Sequence, residues 1–398
     1  MKSEQELFLE IYGKNAEYSA FAPYRICPLG AHVDHNLGKI TGFCIDKGIN
    51  IAYTPEKDGK IEVSSLQFSK TEKWEIGDVP KIRLNSWADH LRGCTLALGS
   101  RYPLKTGMTA IINGELPIGG LSSSAAVTIS FLSALCNLND IELSPEEMIE
   151  ISREAENSYV GVSCGKLDQA CVCYCRRNGL LYMDLADESH EIIPTPANMK
   201  PFDILICFSG LERSLASSKY NMRVDELRAA AYALKGFSGM EYGKFAETNL
   251  REVPYEIYLQ YRDKLPESWA KRAEHWYSEV MRVEMGVKAY RNGDIEQFGQ
   301  LCFESGKSSI CSWETGSPEL IKLYKIMTKT KGVYGGRFSG AGFKGCCMAL
   351  VDPAFENEIM EKIEAEYLQA FPELKDKYLA CICHSADGIT YGTMANSK

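Results

Sequence analysis

The chain has 398 residues, of which 45% are hydrophobic and 24% are charged, the balance of an ordinary globular protein rather than a disordered one. At about 150 residues per domain, that length predicts two or three compact units. The 44 Lys and Arg are outnumbered by 53 Asp and Glu, which gives a formal net charge of −9. An acidic chain without a basic run excludes nucleic acid and anionic membrane surfaces as partners, and no apolar stretch approaches the ~18 residues of a membrane span.

The cysteine content and the first residues indicate a cellular compartment. The chain carries 15 Cys, and its start, MKSEQELFLEIYG, lacks the basic-then-apolar order of a signal peptide. We therefore predict a cytoplasmic protein whose cysteines are mostly buried free thiols. Cys171, Cys173 and Cys175 alternate along the chain, which favours a buried strand with the three sulfurs on one face. A zinc site is the alternative, and the neighbouring sequence lacks the second Cys or His pair that such a site needs.

Hydrophobic periodicity predicts a chain of mixed helices and strands. In chain order, the sequence predicts strands and turns over residues 19–54 and 60–80, a helix over 87–100, a strand over 107–115, a buried helix over 125–138, a capped helix that begins after Ser144, strands over 169–184 and 202–208, and charged helices over 219–235, 268–292 and 317–330. The tail predicts a strand at CCMALV, an amphipathic helix over 356–370 and two further strands, which is typical of an α+β layer. A domain boundary is predicted between residues 190 and 191.

The segment PIGGLSSSAA, from Pro117 to Ala126, is the first candidate for chemistry. Its glycines allow a ligand to approach the backbone, and the N–H groups at the start of the following helix attract anions. Its serine hydroxyls can bind phosphate oxygens or a hard cation. A phosphate-binding loop is therefore favoured over a merely capped helix. The segment lacks both the Lys of a Walker A loop and the GxGxxG spacing of a dinucleotide site.

Three further segments combine polar residues with turns. The run from Arg337 to Gly345 is a second glycine-rich loop, with a tight hairpin as its plain alternative. The segment from Arg25 to Asn36 supplies donors and acceptors suited to a polyhydroxylated ligand, with a polar surface turn as its alternative. Asp168, in the segment CGKLDQ between a helix and a strand, is a candidate general base or a turn residue.

Together the four segments resemble the motifs of the GHMP small-molecule kinases, on the galactokinase branch. That branch has APGRVNLIGEHTDYN, PxGxGLSSSAA, CGxMDQ and GxRxTGAGFGGC, in that order. This chain has APYRICPLGAHVDHN, PIGGLSSSAA, CGKLDQ and GGRFSGAGFKGC in the same order. The resemblance implies an α+β fold of two lobes: a ribosomal protein S5 domain 2-like lobe over 1–190 and a ferredoxin-like lobe over 191–398, with the active site in the cleft.

The resemblance also implies roles for individual residues. Such kinases transfer the γ-phosphoryl group of ATP to the anomeric hydroxyl of a sugar. Asp168 matches the catalytic Asp that accepts or orients the hydroxyl proton, and Arg25 matches the Arg beside the transferring phosphoryl group. The implied sugar contacts are Arg25, His32, Asp34, Gly165, Asp168 and Tyr220. The implied ATP contacts are Trp87, near adenine, and Gly119, Gly120, Leu121, Ser122, Ser123, Ser124, Ala125, Gly340 and Gly342. Ser124 and Glu156 match the ligands of Mg²⁺.

Departures from the family pattern bear on the substrate. Ala31 stands where galactokinases have a Glu that accepts a hydrogen bond from the C6 hydroxyl of the sugar, and His35 stands where they have Tyr. Lys219, before Tyr220, stands where they often have Glu. The pattern RICPLGAHVDH resembles the galacturonokinase branch. We therefore predict a hexuronic acid as the substrate, D-galacturonate first, with Ala31 removing a like charge and Lys219 as a candidate contact for the substrate carboxylate.

Two alternatives remain open at this point. The first is a galactokinase in which Ala31 has no consequence for the substrate. The second, of another class, is a non-catalytic relative that binds sugar and ATP as a sensor, although no protein partner is indicated. Arg25, Asp168, Glu156 and the serines of the glycine-rich loop are all retained, which favours catalysis.

Overall fold

The structure, a computed structural model, describes residues 4–211 and 220–394. Its strands are β1 (Tyr18–Ile26), β2 (Lys39–Glu56), β3 (Lys60–Ser65), β4 (Glu72–Glu75), β5 (Gly107–Gly114), β6 (Gly179–Asp184), β7 (His190–Pro194), β8 (Asp203–Phe208), β9 (Val333–Phe338), β10 (Cys346–Val351), β11 (Leu379–Cys383), β12 (Ser385–Ala386) and β13 (Thr390–Thr393). Its α-helices are α1 (Glu4–Tyr12), α2 (Asp89–Gly99), α3 (Ser123–Leu138), α4 (Pro145–Glu154), α5 (Leu167–Tyr174), α6 (Tyr220–Ser238), α7 (Tyr255–Tyr261), α8 (Glu267–Arg291), α9 (Ile295–Cys311), α10 (Pro318–Met327) and α11 (Glu356–Ala370).

Nine strands of the described chain form the larger sheet. Its main path runs β13, β1, β2, β5, β3 and β4, and only the pair β3–β5 is parallel along it. The strand β2 is 18 residues long, so its first part also pairs with β6 and β12. The buried helix α3 packs on β1 and β2. The N-terminus of α3 is consequently close to the end of β1, which carries Arg25.

The smaller sheet is antiparallel, in the order β11, β8, β10, β9. The helices α9 and α10 pack on β9, and α11 packs on β11. The long helix α8 contacts both α9 and β2, so it joins the smaller sheet's layer to the larger sheet. This arrangement confirms the predicted α+β class.

Most of the predicted elements are confirmed within a few residues. The start of α4 illustrates why, because Ser144 and Glu147 form a complete capping box with Pro145 in the first turn. The helices α1, α7 and α9 were not predicted. The last strand, β13, pairs with β1 in the larger sheet instead of completing the C-terminal layer. The domain boundary between residues 190 and 191 remains a prediction.

The prediction of strands over residues 169–184 is wrong in its first half. Residues Leu167–Tyr174 form the helix α5, so Asp168 lies in the first turn of a helix rather than in a loop. Cys171 and Cys173 lie on this helix, and all three cysteines of the segment are buried free thiols. Every residue of α5 except Asp168 is buried, so the sequence has no polar face that would reveal helical periodicity.

The structure also bears on two alternatives, a zinc site and a membrane-spanning helix. We find no group of three or more His, Cys, Asp or Glu side chains that could hold a metal ion in residues 4–211 and 220–394. Across the same residues, no helix has the length and apolar character that crossing a bilayer requires.

The helix α9 touches the strand β9 backbone to backbone. A Cβ atom at Gly299 would overlap the carbonyl oxygen of Tyr334, and one at Gly335 would overlap that of Gly299. Two glycines therefore allow α9 to lie directly on the edge of the smaller sheet.

We expect Gly299→Ala to destabilise the protein by about 1–3 kcal/mol, because the added methyl group must push α9 away from β9. Gly236→Ala is the matched control, since Gly236 is also helical and a Cβ there meets no atom within 4 Å. The control should leave stability unchanged or raise it by about 0.5–1 kcal/mol. Denaturant unfolding measures both. Equal effects of the two substitutions would contradict the close approach.

Candidate active site

One cavity of about 520 Å³ brings residues of all four sequence motifs together. The predicted site residues that line it are Arg25, Ala31, His32, Asp34, Trp87, Gly119, Gly120, Ser122, Ser123, Ser124, Glu156, Gly165, Asp168, Tyr220 and Gly340. Leu121, Ala125 and Gly342 are buried and lie outside this lining. Lys219 lies outside the described residues. The cavity thus joins segments that are up to about three hundred residues apart in the chain.

Asp168 is held at the cavity wall by two donors. The Nε and Nη2 atoms of Arg25 each lie 2.7 Å from its Oδ1 atom, and the hydroxyl of Ser122 donates to its Oδ2 atom. The Asp168 side chain remains 27% exposed, whereas that of Arg25 is buried. Burial alone would lower the pKa of Arg25, but the charge of Asp168 outweighs it and raises that pKa. Arg25 therefore keeps its charge, and Asp168 lines the ligand space.

The same arginine fixes the glycine-rich loop before α3. Its Nη1 atom donates to the carbonyl oxygen of Gly120 at 3.1 Å, and its backbone N–H donates to that of Leu121. Ser122 is the N-cap residue of α3, yet its side chain makes no capping bond and its hydroxyl instead donates to Asp168. The first N–H groups of α3 therefore lie at the part of the cavity wall that Ser123 and Ser124 form.

Glu156 supplies a buried carboxylate on the cavity wall. It lies on a π-helical segment, Ala155–Val160, that continues α4. Its carboxylate accepts a hydrogen bond from Gln169 Nε2 at 2.8 Å and one from Cys164 Sγ at 3.3 Å. Burial and the nearby carboxylates raise the pKa of Cys164 well above its ordinary value, so the thiol stays protonated and can donate.

The oxygens of Ser124 and Glu156 suit a hard cation. Among the described residues, no Lys or Arg forms an ion pair with Glu156, and His90 Nδ1 lies 3.5 Å from its Oε1 atom. A hydroxyl and an unneutralised carboxylate are ligands that Mg²⁺ accepts together with water and phosphate oxygens. The residues present therefore fit the magnesium site that the resemblance implies.

The segment after β1, which contains Ala31, His32 and Asp34, also lines the cavity. A Cβ atom at Gly165 would overlap the carboxylate of Asp34, so only glycine fits there. Burial would raise the pKa of Asp34, but the adjacent His35, whose Nδ1 atom lies 3.5 Å from Asp34 Oδ1, holds it below its ordinary value. His32 has a left-handed backbone with φ 64° and stacks on Trp313 at 5.0 Å with an interplanar angle of 8°.

Two side chains of helix α8 form hydrogen bonds with the peptide groups next to Ala31. The Oε1 atom of Glu279 accepts the N–H groups of Gly30 at 2.8 Å and Ala31 at 3.3 Å. The Nε2 atom of His275 lies 3.0 Å from the carbonyl oxygen of Ala31 and donates to it. Ala31 is 5% exposed and lines the cavity. Its backbone position is therefore fixed by buried hydrogen bonds to both its N–H group and its carbonyl oxygen.

An aromatic pair, Phe68 and Trp87, also lines the cavity. The rings of Trp87 and Phe68 are 5.5 Å apart and nearly parallel, and Trp87 Nε1 donates to the carbonyl oxygen of Lys70 at 2.9 Å. Trp87 was predicted to lie near adenine, and a stacked aromatic pair suits a flat heterocycle. Phe68 was missed, because a single aromatic residue in a turn between strands carries no local signal.

Comparisons with known proteins agree with this geometry. Family models of the GHMP kinases N terminal domain and the GHMP kinases C terminal region match residues 89–176 and 287–369. A galacturonokinase from Arabidopsis thaliana is 40% identical, over 88% of this chain and 87% of its own length. The chain belongs to the GHMP kinase family. A galactokinase from Roseiflexus sp. (strain RS-1) is 30% identical to it, over 97% of this chain and 95% of its own.

A solved structure extends the match to three dimensions. The galactokinase of Lactococcus lactis complexed with galactose is similar at a TM-score of 0.88 and 28% identity, and the match covers 97% of this chain and 98% of that one. The predicted family, its two-lobed fold and its class as a kinase are confirmed. The roles predicted for the individual site residues remain proposals.

His275 should make the stability of this GHMP kinase depend on pH. Burial lowers its pKa from 6.5 to about 4, so between these values the unfolded chain binds a proton that the folded protein does not. Stability from this group is complete above pH 6.5 and falls as the pH drops towards 4, by at most about 3 kcal/mol. His275→Gln retains an amide donor for Ala31 and should flatten this part of the profile, measured by denaturant unfolding at a series of pH values.

His384→Gln is the matched control for this prediction. His384 is largely exposed, and its hydrogen bond with Asp46 raises its pKa, so its contribution is lost as the pH rises. That contribution is constant on the acid side, so removing it should leave the slope between pH 6.5 and 4 unchanged. Burial also lowers the pKa of the neighbouring His32, so some slope will remain in His275→Gln; a slope as steep as that of the wild type would contradict the assignment to His275.

Proposed function

We propose that this protein transfers the γ-phosphoryl group of ATP to the C1 hydroxyl of D-galacturonate, giving galacturonate 1-phosphate and ADP. The observation that carries the substrate is Ala31, a methyl group on the cavity wall at the position where the galactokinase motif has a carboxylate. The Arabidopsis relative named galacturonokinase, at 40% identity, supports the same substrate.

The electrostatic argument starts from the C6 carboxylate of a uronate. A Glu at position 31 would place a second carboxylate about 4 Å from it. At an effective dielectric constant near 20, two like charges at that distance repel by roughly 4 kcal/mol, on the order of a thousandfold in affinity. Ala31 removes this repulsion and leaves room for the second oxygen. The same change removes the acceptor that a neutral C6 hydroxyl would use, so it disfavours galactose.

The proposed transfer is an in-line displacement at the γ-phosphorus. The C1 oxygen forms a bond to the γ-phosphorus while the bond to the β–γ bridging oxygen breaks, and ADP leaves with that electron pair. Asp168 accepts or orients the proton of the C1 hydroxyl. Arg25 holds Asp168 in place and adds positive charge beside the phosphoryl group. Catalysis here depends on position and charge more than on covalent chemistry.

The metal completes this charge balance. We propose that Ser124 and Glu156 hold Mg²⁺, which when bound neutralises phosphate oxygens of ATP. Gln169 and Cys164 orient the Glu156 carboxylate through their hydrogen bonds. The glycine-rich loop and the start of α3 would bind the phosphates, and Trp87 would pack against adenine.

Galactokinase activity is the alternative that a specific observation favours. The Lactococcus lactis structure that matches this chain at a TM-score of 0.88 is titled as a complex with galactose. The sensor alternative has less support, because the Arg25–Asp168 pair lines the cavity and a sensor does not need it.

Asp168→Asn should lower turnover by about 10² to 10⁴ without preventing ATP binding, because the amide keeps the shape of the side chain and loses its basicity. A coupled assay of ADP release measures turnover, and titration with ATP measures binding. Asp58→Asn, which changes an exposed Asp remote from the cavity lining, is the control and should retain wild-type activity. Turnover near that of the wild type in Asp168→Asn, across the pH range, would exclude this role.

Ala31→Glu should lower kcat/KM for galacturonate by about tenfold to a thousandfold, because it restores the like charge. Ala31→Gln has the same shape without the charge, so it separates electrostatics from crowding and should lose less uronate activity. Both variants should gain galactose activity relative to galacturonate. The measurement is kcat/KM for galacturonate, glucuronate and galactose. If the wild type prefers galactose over both uronates by tenfold or more, the proposed substrate is wrong.

A further inference from the structure

The loop between β9 and β10 carries a lysine that the assignments above do not use. Lys344 is exposed and lines the cavity together with Gly340, Ala341 and Phe343. In the galactokinase motif GAGFGGC, a glycine stands at the position of this lysine.

The backbone of this loop lies against the phosphate loop before α3. A Cβ atom at Gly340 would meet the Cα atom of Gly120 at 3.0 Å, and one at Gly119 would meet the Cα atom of Gly345 at 3.0 Å. Gly345 is further held by Ser209, whose backbone N–H donates to its carbonyl oxygen at 2.8 Å. The residue next to Lys344 is thus fixed against the loop that would bind phosphate.

The cavity wall carries few basic side chains that could bind an anionic ligand such as ATP. Among the described residues that line the cavity, the acidic side chains are Asp34, Glu156 and Asp168, and the Lys and Arg side chains are Arg25 and Lys344. Arg25 is already paired with Asp168, which offsets part of its charge. The triphosphate of ATP would bring several more negative charges into this space.

Lys344 is the cation that remains available. No carboxylate of residues 4–211 and 220–394 lies within ion-pair distance of it, whereas Arg25 is paired at 2.7 Å. A flexible lysine ammonium group can reach phosphate oxygens as a point charge. Hydrogen bonds between charged groups contribute about 1.5–3 kcal/mol.

We propose that Lys344 binds the triphosphate of ATP beside the glycine-rich loop that precedes α3. This inference rests on the proposed function, because it takes the cavity to be the ATP site. A uronate carboxylate is the other anion in reach, but the sugar segment after β1 is anchored on α8, while the loop of Lys344 is anchored on Gly119 and Gly120. The phosphate loop is therefore the nearer neighbour.

The decisive experiment measures nucleotide binding without sugar. We expect Lys344→Met, which removes the charge at similar volume, to raise the Kd of the magnesium complex of β,γ-imido-ATP by about tenfold to a hundredfold. The Kd of adenosine, which has no phosphate, should not change. Lys344→Arg should retain most of the affinity for the ATP analogue. Lys375→Met, at an exposed lysine outside the cavity lining, should bind as the wild type does.

Kinetics with galacturonate then separates the two anions. A higher KM for ATP with an unchanged KM for galacturonate supports the proposal. An unchanged Kd for the ATP analogue in Lys344→Met overturns it, as does a higher KM for galacturonate alone. If the wild type phosphorylates neither uronates nor galactose, the proposed function fails, while the binding of the ATP analogue still decides the role of Lys344.

Discussion

A single buried carboxylate connects the two halves of this kinase. Glu279 of α8 accepts two backbone N–H groups from the segment after β1 and a hydrogen bond from Ser305 of α9 at 2.6 Å. It also pairs with Arg282 at 2.8 Å and with Arg337 of β9 at 3.3 Å. Burial would raise its pKa, but the two arginines lower it to about 2, so the group is ionised. A buried charge with fewer partners would cost several kcal/mol, and the partners must therefore stay together.

The need to keep buried charges paired limits which residues of the active site can change. Arg25 and Asp168 form a second internal ion pair, which is tied to the phosphate loop through Gly120 and Ser122. Both charge clusters are largely satisfied within the protein, so Asp168 partly offsets the positive charge that Arg25 offers to the substrates. Further charge for an anionic ligand must come from elsewhere, which gives the metal and the loop of Lys344 their place in the proposed chemistry.

Local signals in the sequence predicted the parts of the structure that depend on local physics. The capping box at Ser144 fixes the start of α4, and the glycine-rich motifs fix turns that few other residues can form. The helix α5 was missed because its buried faces remove the polar periodicity that distinguishes a helix from a strand. The role of Glu279 was missed because its partners lie far away in the chain, so their pairing is a property of the tertiary fold.

The same reasoning explains why specificity can change at position 31 while catalysis is kept. The peptide groups of Ala31 are bound by Glu279 and His275, so the bonds that hold the backbone at this position do not involve the side chain. The catalytic pair is held by separate bonds to the phosphate loop. A carboxylate at position 31 or its absence thus alters the charge that the sugar meets, and leaves the geometry of phosphoryl transfer in place. We therefore propose that the charge of the side chain at position 31 sets substrate choice in this chain.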